Sequence, residues 1–114
     1  MKMTIDSLKA FGANTAEGLA RCMNNEAFYL RMVGMVLADK NFDKLKTAME
    51  AGDVRSAFEA AHALKGTTGN VSLTPLFEPV CTLTDLLRDS ETIPAEAAAL
   101  VGQILEKRQQ ALAL

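Results

Sequence analysis

The chain contains a single histidine, His62. Imidazole titrates nearer neutrality than any other side chain, so it can serve as base, nucleophile or metal ligand. Lys65 stands three residues on, and Gly66 and Gly69 stand four and seven residues on. In a helix these positions share the histidine's face. Glycine inside a helix costs about 1 kcal/mol relative to alanine. Two glycines beside one histidine strip side-chain bulk from the surface next to the ring. Another protein's backbone could then come close. A cation at Lys65 favours any anion attached to the imidazole.

Plainer readings stand beside this one. A lone helical histidine is usually a surface or packing residue, and a Gly-x-x-Gly pair often serves only close helix packing. The combination of His62, Lys65, Gly66 and Gly69 is more specific than any member alone. Glu59-x-x-His62 is the spacing used by carboxylate-bridged di-iron bundles. Those sites need two such motifs and further inward carboxylates, whereas this chain has one histidine and Glu59 points away from the apolar stripe. The chain also lacks a Gly-x-Ser-x-Gly elbow, a triad-like set and a Gly-Lys-Ser/Thr phosphate loop, so neither nucleophilic hydrolysis nor ATP binding is expected.

The elements that position His62 read as helices. Asn14 with Glu17 forms a capping-box pattern that opens a short helix over about Thr15 to Met23. Asn24-Asn25 cap a longer helix from Glu26 to about Lys40. Asn41 marks a break, after which Phe42, Leu45 and Met49 keep helical spacing. Gly52-Asp53 ends one helix and caps the next. The histidine helix runs from Val54 to Asn70 or Val71. Its inner stripe is Val54, Ala57, Phe58, Ala61, Leu64, Thr68 and Val71, and His62 points about a third of a turn away, toward solvent. Thr74-Pro75 starts the following helix, with threonine as cap and proline in the first turn. Pro79 either kinks that helix or delays its start to about Glu78. Ile93-Pro94 opens the last helix, which carries Ala97, Leu100, Val101, Ile104, Leu105, Ala111 and Leu112. Short connections imply antiparallel neighbours. The expected fold is all-α: one domain over residues 1–114, an antiparallel up-and-down four-helix bundle with a short extra N-terminal helix.

Composition agrees. At 114 residues the chain is one domain's worth, 49% hydrophobic, with a net charge of −2. Enough apolar surface exists to offset ordering entropy. There is no basic excess for phosphate-backbone binding, so no nucleic-acid partner is expected. The longest apolar run, Met32 to Ala38, is too short for a membrane span, and the start lacks a signal-peptide core. Cys22 and Cys81 lie far apart and read as reduced thiols of a cytoplasmic protein.

The segment Ala61-His62-Ala63-Leu64-Lys65-Gly66-Thr67-Thr68-Gly69-Asn70 resembles the signature of histidine-containing phosphotransfer (HPt) domains. Upstream, Gly18-Leu19-x-Arg21, Phe28-Tyr29 and Ala51-Gly52-Asp53 fall where the family has similar residues. Downstream, Leu76, Val80 and Leu83 continue its apolar register. The resemblance covers about Ala13 to Leu87. It departs at Ser72-Leu73, where the family often has Gly-Ala, at Thr84, where Leu-Glu is common, and at Pro79. These departures touch local geometry and partner fit.

The resemblance implies a phosphocarrier in a multistep phosphorelay, not an enzyme in the usual sense. His62 would accept a phosphoryl group from a receiver-domain phosphoaspartate and pass it to another receiver, reversibly. Lys65 would stabilise its charge; Gly66 and Gly69 would give a partner room. Thr68 would orient His62, cap locally, meet the partner or simply pack. Partners would be response-regulator receivers, with a hybrid histidine kinase upstream. Mg²⁺ and its acidic ligands would belong to the receiver, with no metal or cofactor on this chain, which would act as a monomer. On the helix from Glu26, apolar residues including Phe28 and Met32 cover more than the stripe of about 100° that one-sided packing requires. Such a surplus marks a docking patch, a central bundle position or a homodimer face. Arg55 and Glu59 flank His62 and would tune docking or remain solvated. Two other functions stay open: a helical adaptor that docks receivers without being phosphorylated, and a dimeric metal-binding bundle around Glu59 and His62.

Overall fold

The computed structural model describes residues 3–114. Seven helices make up these residues: α1 (Ile5–Phe11), α2 (Thr15–Arg21), α3 (Glu26–Leu37), α4 (Asn41–Ala51), α5 (Val54–Asn70), α6 (Thr74–Leu87) and α7 (Ala95–Leu112). No strand occurs among them. Helix α5 packs between α4 and α6, α6 also packs on α7, and α7 returns to α4 and α3. The ring α4–α5–α6–α7 is thus closed, and the two- and three-residue connections on either side of α5 make it run opposite to α4 and α6. The elongated body measures 43 × 25 × 20 Å.

Each boundary has a local cause. Asp53 caps α5 by accepting from the Ser56 backbone N–H at 3.1 Å and the Ser56 hydroxyl at 2.7 Å. These bonds hold the Asp53 carboxyl below its ordinary value, the side-chain bond being the larger cause. Gly52, at φ 69°, ends α4 in the left-handed conformation that lacks a penalty only for glycine. Asn25 caps α3 through the Phe28 N–H.

Several boundaries differ from expectation. Helix α1 is an element that the sequence reading did not mark; Thr4 and Ser7 form its capping box. Helix α2 stops at Arg21, because Met23 and Asn24 take positive φ values of 56° and 57°. Helix α3 ends at Leu37 rather than near Lys40, so the expected break falls at residues 38–40 and Asn41 is already the first residue of α4. The Asp39 carboxylate accepts from the Asn41 N–H at 2.8 Å, turning the chain there. Arg108 of α7 secures this joint, donating to the Leu37 carbonyl at 2.8 Å with its guanidinium 4.6 Å from the Phe42 ring centroid. At α6 the cap is Leu73, without a side-chain bond, and Thr74 is already helical. Pro79 is accommodated inside a continuous α6, buried.

The core is contiguous. Tyr29, Phe42, Leu45, Leu64, Leu76, Leu83 and Ile104 are among its fully buried side chains, each worth about 1.5–3 kcal/mol of burial. No described buried side-chain nitrogen or oxygen lacks a hydrogen-bond partner. The surplus apolar surface of α3 is real: Phe28 is 43% and Met35 59% exposed, and Met23 just before it is 89% exposed. Both cysteines are free thiols, Cys22 buried and Cys81 half-buried. No helix among the described residues is long and apolar enough to cross a membrane.

Candidate functional site

His62 lies in the body of α5 and is solvent-exposed, while Ala57, Ala60, Ala61, Leu64 and Thr68 face the core. Helical side chains lean toward the N-terminus, onto the residue one turn back. Lys65 and Gly66 are therefore the residues whose side chains would cover His62. Lys65 is half-buried, and at Gly66 an added Cβ would meet nothing within 4 Å. At Gly66 the surface C-terminal to the imidazole is therefore bare, with the Lys65 side chain beside it.

This surface forms one wall of an open groove of about 450 Å³ that His62 shares with Lys65, Gly66, Gly69, Ser72 and Phe77. Gly69 owes its lack of a side chain to internal packing as well: an added Cβ would stand 2.9 Å from Phe77 Cε1 and 3.2 Å from Cδ1. The groove's other wall comes from α2, whose Glu17 and Arg21 also line it. The sequence reading had not placed either residue at the site.

A set of polar contacts docks α2 on the α5–α6 turn. Arg21 Nη1 donates to the Gly69 carbonyl at 3.3 Å, and its Nη2 lies 3.6 Å from Glu17 Oε1. The Ser72 hydroxyl donates to the same Glu17 oxygen at 2.7 Å. The Asn14 N–H donates to the Ser72 carbonyl at 3.0 Å. Only half of the expected capping box forms. The Asn14 side chain accepts from the Glu17 N–H, but the Glu17 carboxylate turns to Ser72 and Arg21. Ser72 sits at φ 56°, in the left-handed region where glycine is at ease. The departure from Gly-Ala noted above thus falls on a residue whose backbone favours glycine and whose hydroxyl gains a partner instead. Tyr29 adds a buried strut by donating from its hydroxyl to the Val71 carbonyl at 2.8 Å. Burial pushes the Tyr29 phenol above its ordinary value, and Cys22 adds to the shift.

The remaining candidate residues separate. Thr68 is fully buried and donates its hydroxyl to the Leu64 carbonyl at 2.6 Å. A docking contact by Thr68 is corrected on that ground, since helical phase turns it inward and no partner surface reaches it. Arg55 and Glu59 are exposed and pair with each other at 3.8 Å. They line depressions apart from the His62 groove. Phe28 and Met32 lie on α3 and do not line that groove. Among the described residues, no group of three or more His, Cys, Asp or Glu could hold a metal ion. Burial raises the Cys81 thiol above its ordinary value; Lys65 opposes that rise, while Asp85 and Glu78 add to it.

His62 also has a neighbour on its N-terminal side. The Phe58 ring stacks against it, with centroids 5.8 Å apart and planes inclined by 17°. The signal was available in the sequence, because an aromatic residue four positions before the histidine falls where its ring leans.

Searches among curated proteins and among solved structures gave no match. The family model of the Hpt domain matches residues 30–112. The match starts inside α3 and extends through α7, further toward the C-terminus than the motif resemblance reached. It leaves α2, and with it Glu17 and Arg21, outside. With well over half of its length matched, the chain belongs to the Hpt domain family, the phosphocarriers of two-component phosphorelays.

Proposed function

We propose that His62 is the phosphoryl acceptor of this chain, receiving its group from a receiver-domain phosphoaspartate and passing it to another receiver. The observation that supports this reading most is an exposed imidazole inside a rigid helix, with bare backbone at Gly66 and a cation at Lys65 beside it. In the transfer, a neutral imidazole nitrogen attacks phosphorus in line. The new P–N bond forms as the acyl P–O bond breaks, and the aspartate leaves as carboxylate. The reverse step regenerates the free histidine. Catalysis of such transfer is mostly positioning and charge neutralisation.

Each part of the site then has a role. Helix α5 holds the nucleophile at the surface, and Gly66 lets the receiver's backbone close on it. Lys65 offsets the charge of the phosphoryl oxygens. Arg21, held at the groove's far wall by the Gly69 carbonyl, is paired there with the Glu17 carboxylate, so that wall presents a matched ion pair and, among the described residues, Lys65 is the groove's unpaired cation. Mg²⁺ belongs to the receiver in this reading. Incubation with a phosphorylated receiver, followed by peptide mass spectrometry at neutral pH, tests it directly. The phosphate is expected on the His62 peptide, and its recovery on any other residue would overturn the assignment.

A further inference from the structure

We propose that Phe58 is a positioning residue, whose ring, in contact with both Arg88 and His62, fixes the orientation from which the imidazole accepts and returns the phosphoryl group. The proposal rests on His62 being the acceptor. An exposed histidine on a helix ordinarily samples two χ1 wells and a two-fold χ2, about four orientations in all. In each of them the attacking ring nitrogen faces a different direction. In-line attack needs only one.

The structure restricts this choice. His62 leans back onto Phe58, and the near-parallel rings at 5.8 Å and 17° form an offset stack. Phe58 is itself restrained, being partly buried against the hydrophobic core. The Arg88 guanidinium lies 5.5 Å from its ring centroid. Arg88 stands at the end of α6: its backbone N–H donates to the Thr84 carbonyl at 3.0 Å, and its guanidinium forms a surface ion pair with Asp85 at 3.6 Å. The contacts Arg88–Phe58 and Phe58–His62 therefore link the nucleophile to the end of α6, and neither Phe58 nor Arg88 lines the groove. Lys65 and Gly66 leave the groove side accessible. The stack supplies orientation without covering the surface where a receiver must approach.

Single-turnover transfer from a phosphorylated receiver, with Mg²⁺, would be measured on wild type, Phe58→Leu and Phe58→Tyr. Receiver affinity would be measured on each, and the imidazole proton shifts of His62 recorded by NMR. Loss of the stack should lower the rate at saturating receiver by up to about fourfold, the number of orientations released. Affinity should stay within about twofold, because Phe58 lies off the groove. Phe58→Tyr keeps the ring and should keep the wild-type rate. The wild-type His62 protons should show a ring-current displacement that Phe58→Leu removes. Equal rates in wild type and Phe58→Leu, with wild type labelled, would overturn the positioning role alone. So would the absence of a ring-current displacement in wild type, a measurement that does not depend on how well any variant folds. Failure of wild type to be labelled by any receiver that binds it would overturn the acceptor reading, and this inference with it.

Discussion

Gly66 sets stability against transfer. It lies inside α5, and a Cβ built there meets nothing within 4 Å. Gly66→Ala therefore adds helix propensity with no steric penalty, worth about 0.8–1.0 kcal/mol. For a domain of this size that gain raises Tm by about 3–6 °C. The added methyl group leans toward His62, onto the surface where a receiver's backbone must approach. A displacement of about 1 Å between nucleophile and phosphorus can slow transfer by up to about a hundredfold. We expect about tenfold for alanine and more for leucine. Gly69→Ala provides the contrast. There the new Cβ falls 2.9 Å from Phe77 Cε1, so the ring must shift and the propensity gain is cancelled. Thermal unfolding followed by circular dichroism reads the first effect, and single-turnover phosphotransfer the second. A Gly66→Ala protein that is less stable than wild type would refute the steric reasoning. One that is more stable and transfers at the wild-type rate would refute the access role of this glycine.

Other outcomes follow from the contacts around the groove. Tyr29→Phe leaves the Val71 carbonyl without its 2.8 Å donor and should cost about 1–2 kcal/mol in chemical denaturation. Because burial raises the Tyr29 phenol in the folded state, its contribution is complete below the ordinary phenol value and is lost as pH rises through the higher folded value. Wild type should therefore lose more stability above about pH 10 than Tyr29→Phe does. Ser72→Ala keeps the positive φ and loses the bond to Glu17, whereas Ser72→Gly relieves the backbone. The glycine variant should be the more stable of the two by about 1 kcal/mol in urea unfolding, and the reverse order would contradict the strain argument. Lys65→Ala removes a partly solvated charge worth about 1–2 kcal/mol to a nearby phosphoryl group. It should slow transfer roughly tenfold and weaken its dependence on salt; an unchanged rate would remove Lys65 from the site.

The legible part of the site was the part carried by one helix. Periodicity along α5 gave the inward stripe, and from it the exposure of His62 and the shared face of Lys65 and Gly66. Contributions from elsewhere were not legible, because local rules do not see them. Arg21 meets the Gly69 carbonyl across 48 positions of sequence. Glu17 fits a capping box locally, yet Ser72, 55 positions away, takes its carboxylate. Tertiary contact outcompeted the local cap there. Gly69 looked like a second docking glycine, but Phe77, which only the α5–α6 packing reveals, gives it a second reason. The four main bundle helices followed from spacing and caps. Helix α1 did not, since Ile5, Leu8 and Phe11 form too short a pattern and Thr4 is boxed by Ser7 rather than by a glutamate. Pro79 pointed to a kink or to a start near Glu78 because it removes one backbone donor, whereas α6 begins at Thr74 and runs through Pro79, which is buried.

The central claim is that His62 carries the phosphoryl group. Its most direct test is transfer from phosphorylated receiver domains, with Mg²⁺, to wild type and to His62→Gln. His62 is exposed and outside the core, so the variant should fold and bind receivers as wild type does. Several receivers should be used, because docking is selective. An acid-labile, base-stable phosphate on wild type and none on His62→Gln is the expected result. Equal labelling of both proteins would contradict the claim. So would a receiver that binds both equally and labels neither, which would leave the chain as an adaptor.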